Sequence, residues 1–224
     1  MINLDKRLKA VYDFVRENTR VADIGTDHGY LICRLLKDNK ITYGFACDVN
    51  EGPLENARKT AQENDVKNIS FVLCDGLLGV SENEVDDVII AGMGGELISK
   101  ILSECEWIKE KHLVLQPMTK SDLLRRYLYK NGFFIEKELA VKDKQHNYCI
   151  MSVFYGGEKI MIDDVFSQIG KITSATTDGK EYILSRADVF KKRAEGILKT
   201  SPIESKECMD IYNKLKEFAE NENN

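Results

Sequence analysis

Five short apolar runs alternate with amphipathic helical patterns along the first two thirds of the chain. The apolar runs cover residues 21–24, 41–48, 69–75, 85–92 and 112–116, and the helical patterns between them cover 30–37, 53–64, 96–103 and 122–130. Nearly continuous apolar strands joined by helices are typical of a parallel sheet that is covered by helices on both faces. We therefore predict an α/β fold, a doubly wound, Rossmann-like sheet.

This alternation of strand and helix patterns ends after residue 130. Residues 133–140 and 148–155 are two β-rich runs with no helical pattern between them, which predicts an antiparallel hairpin at one edge of the sheet. Gly156 and Gly157 then mark a boundary, and the following segment is helical and strongly charged. We predict two domains, residues 1–156 with the sheet and residues 157–224 with a helical, coiled-coil-like structure.

The apolar residues of the C-terminal segment are spaced four and three apart, as in the seam of a helix pair. They are Ile183, Ala187, Phe190, Ala194 and Ile197. Asp178 followed by Glu181, and Ser201 followed by Glu204, each combine an N-cap oxygen with a carboxylate three residues later. Both pairs predict the first turn of a helix.

Charge and composition exclude several classes of protein. The 224 residues contain 32 Lys and Arg against 37 Asp and Glu, a net charge of -5, which excludes a strongly cationic nucleic-acid binder but allows local basic patches. No apolar run approaches the roughly 18 residues that a membrane span needs, and the N-terminus lacks the apolar core of a signal peptide. Six scattered cysteines form no C-x-x-C pair, so no metal site is predicted. We expect a cytoplasmic protein without a membrane partner; the sequence leaves its oligomeric state open, and we take a monomer as the expectation.

The most informative segment is VADIGTDHGY, residues 21–30, in which a strand leads through a glycine-bearing turn into a helix. The spacing Asp23-x-Gly25-x-Asp27-x-Gly29 is typical of a nucleotide-type cofactor loop, in which glycines let the backbone approach a ligand. Asp27 replaces the usual middle glycine. Its carboxylate would repel a pyrophosphate and suit a positively charged ligand, which favours S-adenosylmethionine over NAD. The alternative is a tight strand–helix turn that binds nothing.

Two further carboxylates end the next two predicted strands. Asp48 follows the second run and is placed to accept hydrogen bonds from ribose hydroxyls, and Asp75 ends the third run, where a carboxylate meets an adenine amino group. Each residue is also a common turn former. The carboxyl ends of parallel strands meet at one edge of the sheet, so we expect Asp23, Asp48 and Asp75 to share one site.

Two more segments end at the same predicted edge. Residues 91–96, AGMGGE, place three glycines at a strand end, which suggests backbone in contact with a ligand or a substrate base. Gln116 and Pro117 end the fifth run, where Gln116 is placed to hydrogen-bond a base or merely to end its strand.

Taken in order, the segments ADIGTDHGY, CDVNEGPL, DGL, IAGMGG, LQPM and DLLRRYL resemble the bacterial tRNA (adenine-N1)-methyltransferases that modify adenine 22. The resemblance covers most of residues 1–155, and Met118 departs from it. It implies an S-adenosylmethionine-dependent domain joined to a C-terminal helical domain, with S-adenosylhomocysteine as product and tRNA as partner. The residues that it and the preceding patterns assign to the cofactor are Asp23, Gly25, Asp27, His28, Gly29, Tyr30, Asp48, Val49, Asp75, Gly76, Ala91, Gly92 and Met93.

The chemistry implied by this resemblance needs no nucleophile set. N1 of neutral adenine carries a lone pair, so the enzyme aligns the reacting atoms and offsets the charge that forms on the base. We take Asp27 as the catalytic candidate for that charge and His28 as an orienting group, although His28 is also explained as an ordinary turn residue. The residues assigned to the substrate or RNA are Gly94, Gln116, Pro117, Arg125, Arg126, Lys130, Lys144, Lys191, Lys192 and Arg193.

Three alternatives remain at this point. A methyltransferase with another acceptor, and a non-catalytic RNA-binding relative, would share the same motifs. A nicotinamide-dependent reductase is suggested by the Y-x-x-x-K spacing of Tyr155 and Lys159, but these residues follow a predicted strand end and not a helix.

Overall fold

The computed structural model describes residues 2–221. The strands are β1 (Arg20–Ile24), β2 (Tyr43–Asp48), β3 (Ile69–Leu73), β4 (Asp87–Gly94), β5 (His112–Thr119), β6 (Phe133–Asp143) and β7 (His146–Tyr155). The α-helices are α1 (Lys6–Phe14), α2 (Tyr30–Lys37), α3 (Glu51–Glu63), α4 (Gly95–Ser103), α5 (Ser121–Lys130), α6 (Asp164–Ile169), α7 (Thr177–Ile197) and α8 (Pro202–Glu220).

All seven strands form one sheet in the order β3-β2-β1-β4-β5-β7-β6. The first five strands are parallel, and β7 pairs antiparallel with both β5 and β6. The predicted Rossmann-like sheet with an antiparallel edge hairpin is confirmed. The strand order reverses between β1 and β4, which is where open α/β sheets form a ligand crevice at the carboxyl ends of their strands.

The central strands are apolar throughout because helices cover both faces of the sheet. Ile89 and Ile90 are adjacent on β4 and both fully buried, and each belongs to a different hydrophobic cluster. Successive side chains of a strand point to opposite faces. The two clusters are therefore the cores on the two sides of the sheet, and the absence of polar–apolar alternation in these runs follows from this double burial.

The edge hairpin is longer than predicted. The loop expected over residues 141–147 is mostly strand, because the ladder continues to the pair formed by Asp143 and His146. Lys144 turns the chain with φ +54°. Polar residues on an edge strand obscure its extent in the sequence, since such a strand needs only one apolar face.

The C-terminal helices form the predicted pair, in which α7 packs on α8, and α7 also packs on β6 and β7. Ile183, Ala187 and Ala194 of the predicted seam are buried. The expected N-cap of α7 was wrong: Thr176 Oγ1 accepts a hydrogen bond from the Gly179 N–H at 3.0 Å, so the cap lies two residues before Asp178. The division of the chain at residue 156 remains a prediction.

No helix within residues 2–221 combines the length and the apolar character that a membrane crossing requires.

Candidate functional site

A cavity of about 330 Å³ opens at the carboxyl ends of β1 and β4. Its size lies in the range of small-molecule pockets. The residues that line it are Arg7, Leu8, Asp23, Gly25, Thr26, Asp27, His28, Gly29, Tyr30, Leu31, Ala91, Gly92 and Met118. Eight of the predicted cofactor residues are thus brought together around one space.

The loop between β1 and α2 forms one wall of this cavity and is fixed by the neighbouring strand. The backbone N–H groups of Gly25 and Thr26 both donate to the carbonyl oxygen of Cys47, at 2.8 and 3.0 Å. Gly29 is the N-cap of α2 with φ +66°, a left-handed conformation that side chains disfavour. The cap residue offers no side-chain oxygen, so the first amide groups of α2 are left for a ligand.

Gly29 also permits the start of α2 to approach α3 closely. A substitution at this position therefore tests the loop geometry. A Cβ atom at Gly29 would lie 2.8 Å from Cβ of Ala57 and 3.0 Å from its Cα on α3. Adding that atom and forcing a left-handed φ should destabilise Gly29→Ala by about 2 kcal/mol or more in urea unfolding.

Gly52→Ala is the matched control for this substitution. Gly52 lies in α3, and a Cβ atom there would have no neighbour within 4 Å. The control should be neutral or stabilising by up to about 1 kcal/mol, as expected for alanine in a helix. Equal stability of the two variants would contradict the packing described for Gly29.

Asp23 supplies a buried negative charge to the cavity. Burial raises the pKa of its carboxyl group to about 6; the charge of Asp48 acts in the same direction, and the Arg7 guanidinium acts against both. The Thr26 hydroxyl lies close enough to favour the charged carboxylate, but it lacks hydrogen-bond geometry, and Thr26 Oγ1 is buried without a partner in the described structure. A buried anion beside an unpaired hydroxyl is suited to a cationic hydrogen-bond donor.

Five predicted cofactor residues lie outside the lining of this cavity. Asp48 ends β2 and accepts a hydrogen bond at Oδ1 from the Asn50 N–H at 2.8 Å. Val49 follows it, and Asp75 and Gly76 come two and three residues after the end of β3. Met93 packs its methyl group over Gly25. These residues border the same sheet edge, and their contact with a ligand stays a prediction.

His28 and Tyr30 stand at the mouth of the cavity. Their rings stack with centroids 5.2 Å apart and planes 9° apart, and both side chains are exposed. Asp27 is more exposed still, and its Oδ2 lies 3.5 Å from His28 Nε2. The two catalytic candidates are therefore neighbours, and both are accessible from solvent.

Gln116 and Pro117 require a correction, because both are buried and cannot contact a nucleotide in this structure. Gln116 Oε1 accepts hydrogen bonds from Arg7 Nη1 at 2.7 Å and from the Gly92 N–H at 3.1 Å, while Nε2 donates to the Pro117 carbonyl. Gly92, at φ +84°, is the residue by which β4 bulges against β5. Gln116 holds this bulge and Arg7 in place. Gly94, which ends β4, remains partly exposed.

Arg125 also requires a correction. Its guanidinium is fully buried and forms an ion pair with Glu138 Oε1, through Nε at 2.9 Å and Nη2 at 2.6 Å. It also donates to the backbone carbonyls of Ser167 and Gln168 and to the Tyr182 hydroxyl. Arg125 therefore joins the sheet to the C-terminal helices, and it is removed from the predicted RNA-binding set. Arg126 is engaged in a similar way, by Asp164, Ser167 and the Ile162 carbonyl.

The other predicted RNA-binding cations are exposed but dispersed. Lys144 lies in the β6–β7 turn, which projects on the side of the cavity because β7 runs antiparallel to β5. Lys130 ends α5, which runs back from the carboxyl end of β5, so this lysine lies at the opposite edge of the sheet. Lys191, Lys192 and Arg193 are exposed on α7, and Arg193 pairs with Glu204. Their role in RNA binding stays a prediction.

Five lining residues were missed by sequence reasoning: Arg7, Leu8, Thr26, Leu31 and Met118. Thr26, Leu31 and Met118 are within or next to recognised motifs, so their positions gave a usable signal. Arg7 and Leu8 reach the cavity because α1 packs against β5, β6 and β7. Nothing local in the sequence indicates that packing.

Two other predictions concern sites of different chemistry. Tyr155 ends β7 and Lys159 lies in irregular backbone, so the Y-x-x-x-K spacing does not fall on a helix. Within residues 2–221, no three His, Cys, Asp or Glu side chains are grouped closely enough to hold a metal ion.

Comparison with known proteins extends these observations. The model of the family described as "Methyltransferase domain" matches residues 4–151. The tRNA (adenine(22)-N(1))-methyltransferase of Bacillus subtilis is 26% identical over 226 residues, covering 100% of this chain and 90% of the relative.

Two solved structures have the same fold over nearly the whole chain. A Streptococcus pneumoniae protein crystallised with S-adenosyl-L-methionine has a TM-score of 0.84 and 28% identity, covering 98% of this chain and 100% of its own. The B. subtilis m1A22 tRNA methyltransferase TrmK has a TM-score of 0.85 at 23% identity, covering 98% and 100%. Both structural matches include the C-terminal helices.

Proposed function

The chain belongs to the methyltransferase-domain family, and we propose that it transfers a methyl group from S-adenosylmethionine to N1 of adenine 22 in tRNA. The observation that carries this proposal is the buried carboxylate of Asp23, which faces a cavity at the sheet edge where α/β folds bind their ligands. The similarity to an adenine-22 methyltransferase over the full chain supports the choice of acceptor.

The cavity suits the cofactor in charge and in shape. S-adenosylmethionine has an ammonium group and a sulfonium centre, and Asp23 with the unpaired Thr26 hydroxyl offers an anion and an acceptor for the ammonium group. Gly25 and Gly29 have positive φ angles, and the cavity wall carries no side chain at these two positions. Asp48 would accept hydrogen bonds from the ribose hydroxyls, and Asp75 would accept one from the adenine amino group.

The protein's part in the reaction is mainly orientation and electrostatics. S-adenosylmethionine supplies the electrophilic methyl group, and N1 of adenine supplies a lone pair, so the base needs no prior deprotonation. Asp27 is exposed at the mouth and would offset the positive charge that develops on the base. His28, stacked on Tyr30, would orient the base as it enters.

A tRNA acceptor is consistent with the exposure of Asp27, His28 and Tyr30 at the cavity. N1 lies on the Watson–Crick edge, so the target base has to leave any pairing before it reaches the methyl group. Lys144 stands on the same side of the sheet, and the α7 cluster of Lys191 and Lys192 offers a second contact to the RNA backbone. Cytoplasmic location and a monomeric state belong to this proposal.

The remaining alternatives make different predictions. A non-catalytic relative would bind cofactor and RNA without forming product. A methyltransferase for another acceptor would use the same cofactor pocket but leave tRNA unlabelled.

Methyl transfer tests the proposal directly. Unmodified tRNA transcripts incubated with methyl-labelled S-adenosylmethionine and the protein should give labelled 1-methyladenosine on mass spectrometry of the nucleosides. Asp27→Asn should reduce the rate at saturating cofactor by about 10- to 100-fold, because it removes the charge at the mouth. Cofactor binding without any labelled tRNA, across a full set of transcripts, would contradict the acceptor and favour one of the alternatives.

A further inference from the structure

The turn between β5 and α5 holds a lysine in a backbone conformation that side chains disfavour. Lys120 directly follows the last residue of β5, at the edge of the sheet where the cavity opens, and its φ is +56°. A non-glycine residue with positive φ is uncommon, apart from Asn and Asp, whose side chains tolerate this conformation. Such non-glycine residues within 2–221 are Asn18, Asn39, Asp65, Asn68, Lys120 and Lys144.

The Asn and Asp residues of this set and its two lysines lie at opposite edges of the sheet. The Asn and Asp residues are in the loops that lead into β1, β2 and β3, where they are ordinary turn residues. Lys120 follows β5, and Lys144 turns the β6–β7 hairpin on the cavity side. The lysines lack the turn chemistry of Asn and Asp, and backbone strain of this kind is concentrated at functional sites.

We propose that Lys120 binds a phosphate group of the tRNA backbone beside the target adenine and so holds the target nucleotide at the mouth of the cavity. This inference rests on the proposed function, because it takes tRNA as the methyl acceptor. Lys120 binds the substrate in this account and takes no part in the transfer of the methyl group.

The first argument is the place of Lys120 on the rim of the cavity. Met118, two residues earlier, lines the cavity and is 44% exposed. Because β1 and β5 lie on either side of β4, the loop with His28 and Tyr30 and the turn with Lys120 border the cavity from two sides. A nucleotide whose base enters between these segments keeps its phosphates outside the cavity. Lys120 stands at this rim, where a phosphate contact fixes the position of the nucleotide.

The second argument is that the ammonium group of Lys120 is exposed and has no partner within the described chain. No carboxylate among residues 2–221 forms an ion pair with it, although Asp122 is only two positions away, whereas Lys142 at the same edge pairs with Glu181. Phosphate groups are the usual partners of such exposed cations in a protein that binds nucleic acid. The charge of Lys120 is therefore available to the RNA backbone.

The third argument is that packing fixes the strained turn in place. The Lys120 carbonyl oxygen accepts a hydrogen bond from the Leu124 N–H at 3.2 Å. A Cβ atom on Gly95 would clash with the same oxygen, so the start of α4 packs directly against this turn. The lysine side chain therefore extends from a fixed backbone, which reduces the entropy that is lost when it binds a phosphate.

Binding of an unmodified tRNA transcript to the full-length protein, measured at several salt concentrations, tests this contact. Lys120→Gln should weaken tRNA binding about 3- to 10-fold and reduce the slope of log affinity against log salt by about one, as expected for the loss of one phosphate contact. Lys120→Arg keeps the charge and should stay within about twofold of wild type. In methylation assays Lys120→Gln should raise KM for tRNA and leave kcat and the affinity for S-adenosylmethionine within about twofold of wild type.

Two further variants separate the charge of Lys120 from its effect on folding. Glycine adopts a positive φ without strain, so Lys120→Gly should unfold in urea at a midpoint equal to or above that of wild type, yet bind tRNA as weakly as Lys120→Gln. Lys37→Gln is the matched control, because Lys37 is an exposed lysine that ends α2 at the opposite edge of the sheet. This control should keep tRNA affinity within about twofold of wild type.

Neutral linkages in the RNA locate the phosphate that Lys120 contacts. Two transcripts are made, with a methylphosphonate in place of the phosphate on the 5′ side or on the 3′ side of adenine 22. One of them should bind wild-type protein about 3- to 10-fold more weakly than the unmodified transcript, while Lys120→Gln should bind the two equally, because both changes delete the same contact.

The inference is overturned if Lys120→Gln keeps the wild-type tRNA affinity and salt slope, or if neither neutral linkage shows this dependence on Lys120. It is also overturned if Lys120→Gln lowers kcat and leaves KM unchanged, since the ammonium group would then act on methyl transfer itself. Methylation of adenine 22 by the wild-type protein would leave the proposed function standing in each of these cases. A wild-type protein that binds tRNA through Lys120 but forms no 1-methyladenosine would reject the proposed function and support the phosphate contact. A wild-type protein that binds no tRNA would overturn both.

Discussion

Asp23→Asn should weaken S-adenosylmethionine binding about a hundredfold and at the same time stabilise the ligand-free protein at pH 8. The loss of affinity follows because the buried carboxylate is the proposed partner of the cofactor's ammonium group. The gain in stability follows because burial raises the pKa of Asp23 to about 6, which means that the folded protein holds this charge at a cost.

The cost of the buried Asp23 charge to folding stability depends on pH. The pKa in the folded state, about 6, lies above the ordinary value of 3.8. At pH 8 the group is ionised in both states and the folded state bears the full cost, about 3 kcal/mol. As the pH falls through 6 the folded form takes up a proton and the cost declines, and below about pH 4 both states are protonated and the cost is gone.

Urea unfolding at pH 8 and pH 4 measures this effect. The stabilisation of Asp23→Asn relative to wild type should be larger at pH 8 than at pH 4 by up to about 3 kcal/mol. Subtracting the stabilisation at pH 4 from that at pH 8 cancels the effects of the substitution that do not depend on pH. Asp27→Asn, at an exposed position of the same loop, is the matched surface control.

Cofactor titrations supply the second measurement. Wild-type affinity for S-adenosylmethionine should fall as the pH drops below about 6, because a protonated Asp23 no longer attracts an ammonium group. The affinity of Asp23→Asn should lack this dependence. Unchanged affinity in Asp23→Asn, together with equal stability at both pH values, would contradict the proposed role of this carboxylate.

Arg125→Met should lower the free energy of unfolding by about 3–5 kcal/mol. The substitution leaves the buried Glu138 carboxylate without its positively charged partner and removes the donor to the backbone carbonyls of Ser167 and Gln168. Arg125 joins α5 and β6 to α6 and α7, so its loss should also loosen the attachment of the C-terminal helices. Urea unfolding followed by circular dichroism measures both the midpoint and the cooperativity of the transition.

A double variant and a surface control test whether the loss of stability comes from the buried ion pair. Arg125→Met combined with Glu138→Gln should be less destabilised than the sum of the single changes, because neither variant side chain leaves a buried charge. Lys130→Met, at the exposed end of α5, should change stability by less than about 0.5 kcal/mol. A stable Arg125→Met protein with reduced tRNA affinity would contradict the structural role and restore the RNA contact expected from the sequence.

Much of the fold was predictable because its determinants are local. Apolar runs such as residues 85–92 correspond to strands buried on both faces, and the glycines at 25 and 29 are at positions with positive φ. The same logic predicted that Asp23, Gly25 and Gly92 would share one edge, since parallel strands bring their carboxyl ends together.

The missed features depend on contacts between distant parts of the chain. Arg125 looks like a surface cation of an amphipathic helix until Glu138 and the C-terminal helices cover it. Asp178 has the pattern of an N-cap, but its Oδ2 accepts a hydrogen bond from the Lys142 N–H at 3.0 Å and joins α7 to β6. Arg7 reaches the cavity through the packing of a helix that precedes β1 by several residues.

The most direct test of the proposed function is the position of the methyl group in tRNA. A methyl group on N1 blocks the Watson–Crick edge, so reverse transcription of a treated, previously unmodified transcript should stop at adenine 22. The stop should require both the protein and S-adenosylmethionine, and a transcript with guanine at that position should be copied through. A stop at a different adenine would contradict the assigned position, and full-length copying of every treated tRNA would contradict methyl transfer to N1 of a tRNA adenine.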